Sequence, residues 1–222
     1  MFFGAVAPVR IATVLRSGGE YEKKHVVALQ RQLLQFAPLY EFVCLSDVNI
    51  GGVQCLPLER SYPGWWSKME LFRPDIGGDI LYMDLDTVVV GPLAGVLSVK
   101  ELTMLRDFYR TGAGYPKILG SRKEGLGSGL MFLPEAQRGE VWADWVHKSA
   151  QYMVHYARGG DQLLLEKHYL QKARRWQDDL PGQIVSWKVH CKNGVPPNAR
   201  VICFHGQPRP FAVPQFKDLY SW

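Results

Sequence analysis

The sequence is poor in cysteine and shows no cysteine pattern that points to a bridge or a metal. Cys44, Cys55, Cys191 and Cys203 have neither C-x-x-C spacing nor a zinc-type arrangement, which excludes a dithiol redox motif and a zinc module of the usual kind. Three of them lie in apolar, strand-like runs and are expected to be buried reduced thiols. No apolar run reaches membrane-spanning length, and residues 1–8 lack the basic and apolar regions of a secretory signal. The expectation is a cytoplasmic protein without a transmembrane segment. Concentrated charge is also missing. The formal net charge of +5 leaves nucleic acid, an anionic membrane surface and a diphosphate open as partners. However, Lys23-Lys24 and Arg174-Arg175 are isolated pairs rather than a basic stripe. Nucleic acid is therefore not expected, and peripheral membrane contact stays open. The chain has no internal repeat, low-complexity tract, linker, G-x-G-x-x-G or P-loop. It reads as a single domain over residues 1–222, and its oligomeric state cannot be read.

What is present is a globular composition, 47% hydrophobic and 21% charged, in which strand-like and helix-like patterns alternate. Residues 9–15 read as a strand, Arg16-Ser17-Gly18-Gly19 as a turn, and 21–36 as a helix. Strands are expected at 40–45, 53–57, 101–105, 130–133 and 201–205, and helices at 135–150 and 161–169. This alternation predicts an α/β layered domain.

The chemistry centres on residues 80–90, an apolar run interrupted by Asp84 and Asp86 and bounded by glycines. As one buried strand, it would place both carboxylates where the strand emerges, on one side, facing a shared cation. Two hard oxygen ligands suit Mg²⁺ or Mn²⁺ with open positions for phosphate oxygens. Lys68 lies on a short helix leading into this strand, within reach of the same phosphates; Trp65, Met69 and Phe72 on that helix have the spacing of core positions. Asp161 follows Gly159-Gly160 and reads first as a helix cap. His205 ends the last strand-like run, where it could supply a nitrogen ligand, with Arg209 close behind. Residues 119–129 are glycine-rich and read as a mobile loop entering the sheet, a candidate lid together with the C-terminal segment.

Taken in order, Trp66-Ser67-Lys68-Met69-Glu70-Leu71-Phe72, the Asp84-Leu85-Asp86 D-x-D motif, Gly127-Ser128-Gly129, Gly160-Asp161-Gln162 and Phe204-His205-Gly206 resemble the GT-A nucleotide-sugar glycosyltransferases. The resemblance is to family 8 in particular, which includes glycogenin and bacterial lipopolysaccharide galactosyltransferases. It implies an open, mostly parallel, Rossmann-like mixed sheet flanked by helices. It also implies Mn²⁺ or Mg²⁺ held by Asp84, Asp86 and His205, a nucleotide-sugar donor such as a UDP-sugar, and a carbohydrate or glycoconjugate acceptor. Thr13, Leu15 and Tyr21 correspond to base and ribose contacts, Lys68 and Arg209 to donor-phosphate contacts, and Asp161 and Gln162 to the acid-amide pair beside the transferred sugar. In that family the anomeric configuration is retained, and Gln162 would stand near the reacting carbon. Ser128 and Lys68 replace the family's frequent asparagine and arginine, and Arg209-Pro210-Phe211 lies closer to His205 than the family's closing motif. Two alternatives remain open: a haloacid-dehalogenase-like phosphatase with Asp84 as nucleophile, and a non-catalytic carbohydrate- or nucleotide-binding module.

Overall fold

A computed structural model describes residues 9–108 and 125–221. The first strand, β1 (Arg10–Leu15), is rich in β-branched residues and almost wholly buried. Helix α1 (Lys23–Phe36) sets Val26, Leu29 and Leu33 on one buried face at helical spacing. Its start is fixed by the Glu22 backbone N–H, which donates to His25 Nδ1 at 2.7 Å. Strands β2 (Phe42–Ser46), β3 (Gln54–Pro57), β4 (Ile80–Met83) and β5 (Thr87–Val89) follow. Then come helix α2 (Ala94–Leu97), strands β6 (Thr103–Arg106) and β7 (Leu126–Leu133), helices α3 (Gly139–His155) and α4 (Gly160–Tyr169), and strands β8 (Arg174–Arg175), β9 (Ile184–Ser186) and β10 (Val201–Cys203).

Seven strands form one mixed sheet in the order β3-β2-β1-β4-β7-β6-β8. Neighbours from β3 to β4 run parallel, whereas β7 is antiparallel to both β4 and β6. The chain therefore winds outward in two directions from the β1/β4 seam. At such a reversal the loops beyond the carboxyl ends of the two strands diverge and leave a crevice. Apolar clusters cover both faces. One joins α1 to Trp176 and Val201, the other joins residues 66–72 to α3 and α4.

Residues 80–90 are not one strand. The backbone turns at Asp84, whose carbonyl accepts from Thr87 N at 3.0 Å, and β5 pairs instead in a second, three-stranded sheet ordered β5-β10-β9. Carboxylates are costly inside a sheet, so the ladder ends where they begin. Strand alternation therefore does not set the direction of Asp84 and Asp86; the turn does. The short helix also departs from expectation. Gly64–Phe72 is a 3₁₀ helix in which all residues from Trp66 to Phe72 are buried, so the segment is enclosed on every side rather than along one helical face. Trp66 stacks on Trp145 with centroids 5.3 Å apart, while Trp65 is 55% exposed. Of the glycine-rich stretch, 119–124 fall outside the described residues, and 126–129 are strand rather than loop.

The link between the 3₁₀ helix and β4 is held from one point. The Arg138 guanidinium, 2% exposed, donates to the carbonyls of Leu71 at 2.9 Å, Ile76 at 2.6 Å and Gly78 at 2.7 Å. Arg138→Met would leave these buried acceptors unpaired and is expected to destabilise the fold by about 3 kcal/mol. In a domain of this size, that is a fall in Tm of roughly 10 °C, read by thermal unfolding.

Candidate active site

The site is assembled where β4 ends. Asp84 N donates to the Gly129 carbonyl at 2.9 Å, locking the start of the turn to β7. Gly129 leaves room for the carboxylate, since a Cβ there would stand 3.2 Å from Asp84 Oδ2 and press on it. The Tyr82 hydroxyl donates to Asp84 Oδ1, and Lys68 Nζ lies 3.1 Å from the same oxygen. From the other side, Lys68 Nζ stands 3.0 Å from Asp161 Oδ2, which also accepts from Ser128 Oγ at 2.7 Å. Burial alone would lower the Lys68 pKa, but Asp161 and Asp84 outweigh it and hold the ammonium above its ordinary value. Asp161 is therefore not a helix cap. It sits in the first turn of α4, behind Gly159 and Gly160, and makes no capping bond.

A second set surrounds Asp86. Arg209 Nη1 lies 2.6 Å from Asp86 Oδ2, and Arg209 Nη2 lies 2.7 Å from Glu20 Oε2. The guanidinium also stands 5.3 Å from the Tyr21 ring centroid. Burial and the neighbouring Asp84 push the Asp86 carboxyl up to about 7, against the pull of Arg209. Burial, then Asp86, also raises the Tyr21 hydroxyl. His205, just past β10, packs against Phe108 at 5.0 Å between ring centroids. Its burial lowers the imidazole pKa, while Asp107 and Asp84 act in the opposite direction.

The remaining residues flank these two sets. Gln162 Nε2 donates to Asp107 Oδ2 at 2.9 Å, which places the end of β6 beside α4. The Thr13 hydroxyl is fully buried and donates to the Met83 carbonyl at 2.8 Å, tying β1 to β4 just before the carboxylates. Leu15 and Tyr21 line a cleft of about 470 Å³ with Ser17, Gly18 and Gly19. That cleft lies beyond the end of β1, with Val48 from beyond the end of β2 also lining it.

As residue types, Asp84, Asp86 and His205 suit a hard divalent cation, two carboxylates and an imidazole. As arranged, the carboxylates are met by Lys68 and Arg209. Among the described residues, no group of three or more His, Cys, Asp or Glu side chains could hold a metal ion. Asp178 and Asp179, the later acidic pair that a phosphatase would use, are ion-paired with Arg106 and Arg174. Ser128, Tyr82 and Glu20 belong to the site but were not predicted as site residues. For Ser128 the sequence signals are the flanking glycines, where a Cβ at Gly127 or Gly129 would press on Leu105 or Asp84, and its place where the family frequently has an asparagine.

No protein-family model matches the chain, and no curated protein matches its sequence. Solved structures do match. An active-site mutant of LgtC superposes with a TM-score of 0.68 at 12% identity, over 95% of this chain and 94% of that one. The galactosyltransferase LgtC in complex with donor and acceptor sugar analogues gives 0.66 at 13% identity, over 95% of both chains. The glycosyltransferase GlyE of Streptococcus pneumoniae TIGR4 gives 0.68 at 12% identity, over 95% of this chain but 59% of its own length. The fold is GT-A, a mostly parallel mixed sheet flanked by helices.

Removing the shared cation tests the buried network. Lys68→Met leaves Asp84 and Asp161 without their ammonium and should destabilise the fold by about 3 kcal/mol. Adding Asp161→Asn should recover about 1 kcal/mol or more of that loss. Denaturant unfolding of both variants and of Asp161→Asn alone closes the cycle.

Proposed function

We propose that this GT-A chain is a glycosyltransferase that moves a sugar from a nucleotide-sugar donor, a UDP-sugar, to a carbohydrate or glycoconjugate acceptor with retention of configuration. The observation that carries this reading is the convergence of Lys68, Asp84, Ser128 and Asp161 at the end of β4, beside the crevice that the sheet order creates. The fold similarity to glycosyltransferases over 95% of the chain supports it.

In this reading the nucleoside occupies the cleft lined by Leu15 and Tyr21, with Thr13 supporting its floor, and the diphosphate lies along the Asp84–Asp86 turn. Mn²⁺ or Mg²⁺ would be held by Asp84, Asp86 and His205, after Arg209 exchanges its carboxylate partner for phosphate oxygens. When bound, the ion neutralises charge on the departing diphosphate. Lys68 keeps a fixed positive charge at the same place, in a site dry enough for that charge to act strongly. Gln162, held by Asp107, orients the transferred sugar near its anomeric carbon, and Asp161 positions Lys68 and Ser128. Retention requires that the acceptor enter on the face the diphosphate leaves.

Calorimetric titration with UDP is the direct test. Binding is expected with Mn²⁺, and about tenfold or more weaker in EDTA or in Asp86→Ala with Mn²⁺ present. Equal binding in all three would remove the metal from the reading. A protein that binds no nucleoside diphosphate would refute the transferase. With a UDP-sugar that turns over, Gln162→Ala should lower kcat by about 100-fold, with a smaller change in donor KM.

A further inference from the structure

Among the described residues, Trp65 is the most exposed of the large aromatics, and the metal and donor assignments leave it unused. Its neighbour Trp66 is buried on Trp145, which anchors the segment. Ser67 Oγ donates to the Gly64 carbonyl at 2.7 Å, holding the turn that presents the indole. The indole edge also lies close to the backbone of Gly160. Gly160 has φ +60°, and a Cβ there would lie 2.6 Å from Trp65 Nε1. The backbone conformation favours glycine at that position, and the missing Cβ leaves room for the indole edge. The residue after Gly160 is Asp161, whose carboxylate meets Lys68, and Lys68 lies three residues beyond Trp65 on the 3₁₀ helix. The indole edge is thus seated on the backbone that opens α4, immediately before the Asp161-Gln162 pair, and 55% of the residue faces solvent.

From this geometry, and resting on the transferase reading above, we infer that Trp65 is a stacking platform for a pyranose ring of the acceptor. A pyranose has an apolar face of C–H groups and a polar rim. A rigid indole covers that face with little loss of side-chain entropy. The charged part of the donor is met elsewhere, by Lys68 and Arg209, and the cleft at the end of β1 offers Leu15 and Tyr21 to the nucleoside. The uncharged plate beside α4 thus suits the uncharged ring that has to approach the transferred sugar.

The test uses protein labelled with 5-fluorotryptophan, in which Trp65→Phe assigns the Trp65 resonance among those of the seven tryptophans. The probes are methyl β-galactopyranoside, methyl β-glucopyranoside and lactose, each up to about 100 mM because a single sugar ring binds weakly, and UDP with Mn²⁺ as a separate arm. The expected result is a saturable shift of the Trp65 resonance with at least one sugar and none with UDP. Where an acceptor sugar turns over, Trp65→Ala should raise its KM about tenfold, and Trp65→Tyr should restore most of the loss. A resonance that no sugar moves, in protein that binds UDP, overturns the platform and leaves the transferase reading intact. A shift caused by UDP overturns it too, since the plate would then serve the nucleobase. A sugar-induced shift in protein that binds no nucleoside diphosphate keeps the sugar contact and removes the transferase reading.

Discussion

One buried ammonium holds the site in shape. Lys68 sits between Asp84 and Asp161, one at the exit of β4 and the other at the start of α4. Without it, two carboxylates would face each other from separate elements in a poorly solvated space, which the local structure could relieve only by protonation or by opening. With it, the 3₁₀ helix, β4, β7 and α4 meet at a common point through Asp84, Ser128 and Asp161. The buried cation also fixes the charge of the pocket. The network is closer to neutral than its carboxylates suggest.

Arg209 repeats the theme at the rim with a looser grip. It is shared between Asp86 and Glu20 and lies against the Tyr21 ring. Its partners come from the first loop and from the central turn. Lys68 is enclosed by its partners, whereas Arg209 is partly open to solvent. Only the second kind of contact can exchange partners without dismantling the fold.

Much of this was legible in the sequence. The α/β class and most of the element order follow from apolar periodicity and glycine punctuation, and the place of Asp84 from the cost of burying a carboxylate within a strand; Asp161 joins Lys68 and Asp84 only through the family resemblance. The misreadings have one cause each. Residues 80–90 looked like one strand because both halves are apolar, and nothing local says that Val88 pairs with Ile202 in another sheet. Trp65 has the α-helical spacing of a core position with Met69 and Phe72, but the segment is enclosed without periodicity from Trp66 onward and Trp65 lies just before the enclosed stretch. Asp161 looked like a cap because its long-range partners, Lys68 and Ser128, are invisible in a local window. Glu20 carried no signal at all; its role depends on an arginine near the far end of the chain.

The turn at Asp84–Asp86 also determines how far the protein can be divided. Asp84 belongs to the large sheet through Gly129, whereas the Asp86 carbonyl accepts from Phe204 N at 3.1 Å in the C-terminal stretch. The small sheet is a composite, one strand from the middle of the chain and two from near its end. A fragment stopping before residue 184 would keep the seven-stranded sheet but strip β5 of its partner strand and leave Asp86 without Phe204 or Arg209. For anyone recombining homologous chains, the natural exchange unit is consequently not an N- or C-terminal half. It is the pairing of residues 84–89 with 184–209, carried over together.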